Sequence, residues 1–328
     1  MGLNVRDRNA GLAKGQAQVW GFDARTGIDS RSYFAPGAKV FYVDPNNAQA
    51  TDTGNLGEDP TVPLATVAAA VALVRPYQGD TIVIGANDDW QYSPGLRNTA
   101  ITESLVIPMT TGGFRIVGAS TNPLSVVWQA ANALDFCITV GAMDVLIEGI
   151  GFTGNSGIAC SGIYAEWDGV TMAGENLTIR NCLFDDAIDT AIQLEYTWYC
   201  QIYNNWFNNC DEYGIYTDVG GSACAYCDIH HNRFEDVGTS AIALLGGASD
   251  NDIYENRIFN SSAQGGGVAT NEGINLTGGD DNLVSQNVFS CLLPAGANGD
   301  YDDLNTAGAT DAWVQNYCMD GPSVTNPT

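Results

Sequence analysis

From residue 145 onward the hydrophobic pattern repeats. Six-residue segments at 147–152, 179–184, 202–207, 229–234, 253–258 and 284–289 each open on an aliphatic residue and close on an aromatic or aliphatic one. Their fourth position is Asn205, Asn232, Asn256 and Asn287 in four cases and Cys182 or Ile150 in the others. An inward Asn recurring once per turn predicts a hydrogen-bonded amide ladder at a tight bend. A second segment follows at a constant offset: Phe184 to Ile192, Phe207 to Ile215 and Phe234 to Ile242 are each eight residues apart. Strand alternation then turns Ala165, Leu194, Thr217, Leu244 and Leu276 inward with those isoleucines. Two short strands in each turn of 23 to 32 residues predict a solenoid of stacked parallel strands.

Upstream, the run 40–43 reads as a strand, and Leu64, Val67, Val71 and Val74 fall on one helical face. Gly79 and Asp80 then form a turn into a second buried strand. One short helix followed by strands without helices suits a cap over the open end of a sheet. Residues 1–36 are non-periodic, Gly-rich and polar, which predicts an arm that orders against a partner. The layout is thus an arm over 1–36, an opening strand and capping helix over 37–80, and a coil over 81–328.

The repeat, the opening Phe41-Tyr42-Val43-Asp44-Pro45, the cap helix and Gly79-Asp80-Thr81-Ile82 together resemble the right-handed parallel β-helix proteins of the pectin-lyase-like superfamily. The style is that of β-helix domains in bacteriophage tailspikes and virion decoration proteins. The resemblance implies an all-β, single-stranded parallel β-helix. It also implies a virion structural protein, a spike, fibre or capsid decoration assembled as a homotrimer in a host cytoplasm, with a host-surface polysaccharide as ligand. The alternative it carries is a tailspike-type depolymerase, a glycoside hydrolase or polysaccharide lyase, since the fold hosts both enzymes and purely structural proteins.

Charge narrows the partners. Lys+Arg number 12 against Asp+Glu 38, a net charge of -26, although only 15% of residues are charged. Nucleic acid and anionic membranes are poor partners for such a body, and no stretch has the roughly 20 apolar residues of a membrane helix. Half of the cations fall in the first 39 positions, among them Arg6, Arg8, Lys14, Arg25 and Arg31; with Trp20 they suit an arm that docks on a partner, and the resemblance implies other virion proteins as that partner. The N-terminus lacks the apolar core of a signal peptide, and nine dispersed cysteines do not suggest a secreted disulfide scaffold.

Candidate chemistry gathers on the second strand. Alignment of the turns places Glu166, Glu195 and Asp218 in one outward column, with Tyr164, Gln193 and Tyr216 beside them. Neighbouring strands lie about 4.8 Å apart, so paired carboxyls there would suit a retaining glycosidase, whose two sit about 5 Å apart. The same oxygens could take Ca²⁺, with no other cofactor implied, or the column could simply be the outer face of an acidic protein. Trp167 and Trp198, with Tyr196, Tyr199 and Tyr226, lie in or beside the following loops and suit sugar contacts or subunit interfaces. Polygalacturonase-like motifs other than common Asp-Asp pairs are missing, and Arg233 and Arg257 form at most a small basic patch. Cys224 and Cys227 precede His230 and His231, but no second CxxC completes a zinc set. Cys200 and Cys227 stack inward in adjacent turns, as a disulfide or as free thiols.

Overall fold

The computed structural model describes residues 22–23, 28–29, 37–85, 101–120, 122–132, 134–154, 160–166, 174–217, 224–259, 273–276, 279–290 and 310–318. Within 1–36 these include only an antiparallel pair, Phe22–Asp23 with Ile28–Asp29. Arg6, Arg8, Lys14, Trp20, Arg25 and Arg31 lie outside the described residues.

From Val40 on, the strands stack as a coil with three faces. The first face has ten described strands, from Val40–Val43 through Thr178–Arg180, Gln201–Tyr203 and Asp228–His230 to Ala312–Val314. The second runs from Ile101–Thr102 through Arg233–Glu235 to Tyr317–Cys318. The third holds Leu105–Ile107, Phe136–Val140, Ser161–Ala165, Ser240–Leu244, Ile274–Leu276 and the distal halves of Leu183–Leu194 and Trp206–Thr217. Every pairing between rungs is parallel, with aliphatic residue over aliphatic residue, as in Ile179 over Ile202 over Ile229.

The sequence predicts two strands per turn, and the structure has three. Each six-residue segment is folded in half just before its ladder Asn by a left-handed residue: Asn204, His231 and Glu255 have φ of 56, 56 and 55°. One half joins the first face and the other the second. Such φ values favour Gly, Asn, Asp and His, so Glu255 and Gln286 hold this geometry against the preference of their side chains.

The bend is stabilised from inside. Asn232 Oδ1 accepts from the backbone N–H of Asn205 at 3.0 Å and from its side-chain amide at 3.1 Å. Its own Nδ2 donates to Ile202 O at 2.8 Å and to Asn256 Oδ1 at 3.1 Å. The pattern runs from Cys182, whose N–H donates to Asn205, through Asn287 to Asn316, a rung beyond the counted repeats. Buried amides must be paired, and stacking identical ones pairs each with the next. A second ladder, unseen in the sequence, lines the corner between the third and first faces. There Asn251 Oδ1 accepts from Cys227 N–H, and Asn282 Oδ1 accepts from Asn251 N–H.

Apolar stacks fill the rest of the interior. Phe152, Phe184, Phe207 and Phe234 lie face to face at 5.0, 5.0 and 4.5 Å, each fully buried. Burying one such ring contributes about 1.5–3 kcal/mol. Cys200, Cys224 and Cys227 are buried free thiols, so the Cys200–Cys227 pair is unbonded.

Helix α1, Val67–Leu73, buries Val67, Ala70 and Val71 and is N-capped by the Thr66 side chain. The Glu103 carboxylate accepts from the otherwise unpaired N–H groups of Val67 and Ala68 at 3.0 and 2.8 Å, tying the helix to the coil. No helix among the described residues is long and apolar enough to cross a membrane.

Candidate functional site

The third face carries the candidate column. Tyr164 opposes Gln193, which opposes Tyr216, each pointing outward between inward Ile and Ala, Leu or Thr neighbours. The backbone ladder continues one residue further: Glu166 N–H donates to Val140 O and Glu195 N–H to Ala165 O, both at 3.1 Å, which sets the two glutamates on adjacent rungs. Both Glu195 oxygens accept from their own face, Oε2 from the Tyr164 hydroxyl at 2.5 Å and Oε1 from the Gln193 amide at 3.4 Å. Tyr164 also stacks on Phe136 at 4.7 Å. Glu166 is exposed at the rim of an open depression of about 350 Å³, lined also by Tyr164, Phe136, Asp135, Thr139 and Leu134. Asp218 and Trp167 lie outside the described residues, so the structure brings together Tyr164, Gln193, Tyr216, Glu166 and Glu195.

Trp198 is not in this column. It sits at the corner between the third and first faces, edge-on to Tyr199 and Tyr226 at 6.4 and 6.3 Å, while those two rings stack at 5.3 Å. Tyr199 and Tyr226 have φ of 59 and 58°. The same turn position holds Asn176 and Asp250 on the flanking rungs, residue types that tolerate this conformation. Two bulky tyrosines in it are strained backbone held by their stacking.

Sequence reasoning missed a third group at the opposite corner, where Asp189, Asp211 and Glu212 converge. Burial first, then the charge of Asp211, raises the Asp189 carboxyl; burial, then Asp189 and Asp211, raises Glu212. The signal lay in the Asp-Glu pair beside Tyr213, which reads as ordinary acidic surface when no fold is in hand.

The outward column of the first face is also more organised than its residue types suggest. Arg180 donates to Glu148 at 2.7 Å and to the Tyr203 hydroxyl at 2.9 Å. His230 is stacked between Tyr203 and Tyr254 at 5.0 and 4.7 Å. Burial, then neighbouring His231, lowers its pKa to about 4, so the ring is neutral at pH 7. On the second face Arg233 pairs with Glu235 and lies over Trp206 at 5.3 Å, one rung from Arg257. No group of three or more His, Cys, Asp or Glu side chains converges on a cation position among the described residues.

Comparison with known proteins reports on this architecture. The family model described as right handed beta helix region matches residues 140–289. The crystal structure of an alginate lyase from Paenibacillus sp. str. FPU-7 superposes with a TM-score of 0.53 at 12% identity, over 78% of this chain and 93% of that one. The enzymatically active domain of tailspike protein 2 from bacteriophage CBA120 superposes with a TM-score of 0.51 at 15% identity, over 77% of this chain and 36% of that one. No curated protein matches the chain in sequence. Parallel rungs, three faces, an inner asparagine ladder and these superpositions agree: the chain is a right-handed parallel β-helix with the pectin-lyase-like fold.

Proposed function

We propose that this protein is a glycan-contacting β-helix of a bacteriophage-type particle, a spike, fibre or decoration component. Residues 1–36 attach it to other virion proteins, and the third face meets a host-surface polysaccharide. The observation that carries the reading is the Tyr164–Glu195–Gln193 network beside the 350 Å³ depression. A phenol fixed by a carboxylate, an amide and an exposed second carboxylate form the kind of polar, aromatic-flanked surface that hydrogen-bonds sugar hydroxyls. Binding is put first because each Glu195 oxygen accepts from a neighbour on its own face, so the carboxylate orients Tyr164 and Gln193 as part of a fixed polar surface. The alginate lyase and the tailspike domain lend the fold as support.

The second reading is a depolymerase, and it rests on Glu166 and Glu195 occupying adjacent rungs, the spacing at which paired carboxyls act in retaining glycosidases. A panel of bacterial surface polysaccharides separates the two. Binding by the intact protein without new reducing ends or unsaturated products supports the binding reading; release of either product, abolished in Glu195→Gln, overturns it in favour of the enzyme. Removal of residues 1–36 is expected to leave a folded coil that no longer attaches to particles, and retained attachment would remove the arm from the proposal.

A further inference from the structure

The chain has two histidines, and the fold turns them toward each other. Consecutive residues in a strand point to opposite faces, so His230 and His231 should diverge. They do not, because His230 ends the strand Asp228–His230 while His231 takes the left-handed turn, φ 56°. The turn brings the two Nδ1 atoms to 2.8 Å, with the rings at 83°. Each ring is held independently. His230 is clamped between Tyr203 and Tyr254, and His231 Nε2 lies 2.9 Å from Glu255 Oε2.

We propose that His230 and His231 form a chelating site for a divalent transition-metal ion, binding through their two facing Nδ1 atoms. Imidazole nitrogens ligate such ions at about 2.0–2.1 Å, so two nitrogens 2.8 Å apart subtend an angle close to a right angle at the ion. That is the bite of adjacent ligands in a tetragonal site, which favours Cu²⁺ and Ni²⁺, with Cu²⁺ the tighter. Glu255 supplies the outer contact that metal-bound histidines commonly have: by accepting from Nε2–H it keeps His231 Nδ1 unprotonated, an acceptor for His230 Nδ1–H without the ion and a ligand once that proton moves. His230 needs only to move its proton from Nδ1 to Nε2 to become the second ligand. The His231 side chain is about half exposed (51%), so the ion has a path in and water can complete its coordination. A net charge of -26 raises the local concentration of any cation, but it does not select this position; the two nitrogens do.

The test is a titration of the intact protein with Cu²⁺, followed by calorimetry and electron paramagnetic resonance. The expected result is one tight equivalent with a two-nitrogen signature. His231→Asn places the residue of Asn204 in the same turn position, so the coil should remain folded by circular dichroism; it should lose the tight equivalent and the nitrogen signature. Glu255→Gln should weaken binding about 10-fold or more while keeping the signature. Equal binding by wild type and His231→Asn would put the ion on surface carboxylates and overturn the proposal, as would a wild-type spectrum without nitrogen coupling.

Discussion

The inner corner at Asn205–Asn316 and the outer column at Tyr164–Tyr216 belong to one coil and share the turn that carries Asn205 and Tyr216, yet they follow opposite rules. Inside, the same amide makes the same bonds on rung after rung, because each buried N–H and C=O must find a protein partner. Outside, Tyr, Gln and Tyr succeed one another and a single carboxylate gathers the hydrogen bonds that a rung of the inner ladder would pass onward. Water satisfies the outer groups, so nothing forces repetition there. Repetition therefore marks what holds the coil together, and departure from it marks where residues are free to specialise.

The sharpest way to break this contrast is Asn232→Ala. Four hydrogen bonds converge on that side chain, and its loss takes a side-chain partner from a buried backbone N–H and a buried carbonyl and one bond from each of two neighbouring amides. At about 1–3 kcal/mol for each unsatisfied buried group, a loss of about 4 kcal/mol or more is expected in denaturant unfolding. Phe207→Ala is expected to cost about 3–4 kcal/mol, removing one ring from a stack with partners on both sides. If either cost less than about 0.5 kcal/mol, as a surface change does, the inside would be no more constrained than the outside.

The same contrast explains what was legible in the sequence. Asn205, Asn232, Asn256 and Asn287 announce themselves because burial repeats them, and so do the isoleucines of the third face. The Asn251–Asn282 ladder escaped because it spans fewer rungs and its upstream positions hold Cys200 and Cys227, apolar enough to read as ordinary core. The third strand per turn escaped because a bend at one left-handed residue leaves no mark on a six-residue hydrophobic pattern. In the column, position was readable from strand alternation. The choice of partner, Tyr164 to Glu195 across one rung, depends on side-chain rotamers that no spacing encodes.

Acidity sharpens the contrast at lower amplitude. Burial would raise Asp80 inside the capping region, but hydrogen bonds from the Arg75 side chain and the N–H groups of Lys39 and Arg75 hold it below its ordinary 3.8. Its stabilisation is present above that value and is lost as pH falls through the lower folded one. Asp189 and Glu212 are raised, so between their ordinary and their raised values the folded chain keeps protons that the unfolded chain has released. Their effect has the opposite sign: stability is greatest below their ordinary values and declines as pH rises through the raised ones. Thermal unfolding is thus expected to show a maximum within the ordinary carboxylate range, and Asp189→Asn should flatten the decline just above that range while leaving the acid limb, set in part by Asp80, in place. An unchanged slope above that range in Asp189→Asn would remove this corner from the account.

Tyr164→Phe has the smallest expected effect on the fold and the most selective effect on the site. The ring stays stacked on Phe136, and only the hydroxyl that donates to Glu195 is lost, from a part-buried position that water can reach. One hydrogen bond to a charged acceptor in such a place should change unfolding by no more than about 1 kcal/mol. Glu195 then loses the donor that fixes its geometry, and the column loses a hydroxyl offered to a ligand. Polysaccharide affinity should fall about 3- to 10-fold, which corresponds to about 0.7–1.4 kcal/mol. The inner and outer regions would then separate in a single comparison, Asn232→Ala losing the fold and Tyr164→Phe losing the ligand. If Tyr164→Phe left binding unchanged and lowered stability instead, the outer column would be one more structural stack, and the proposal that the third face meets a glycan would fall.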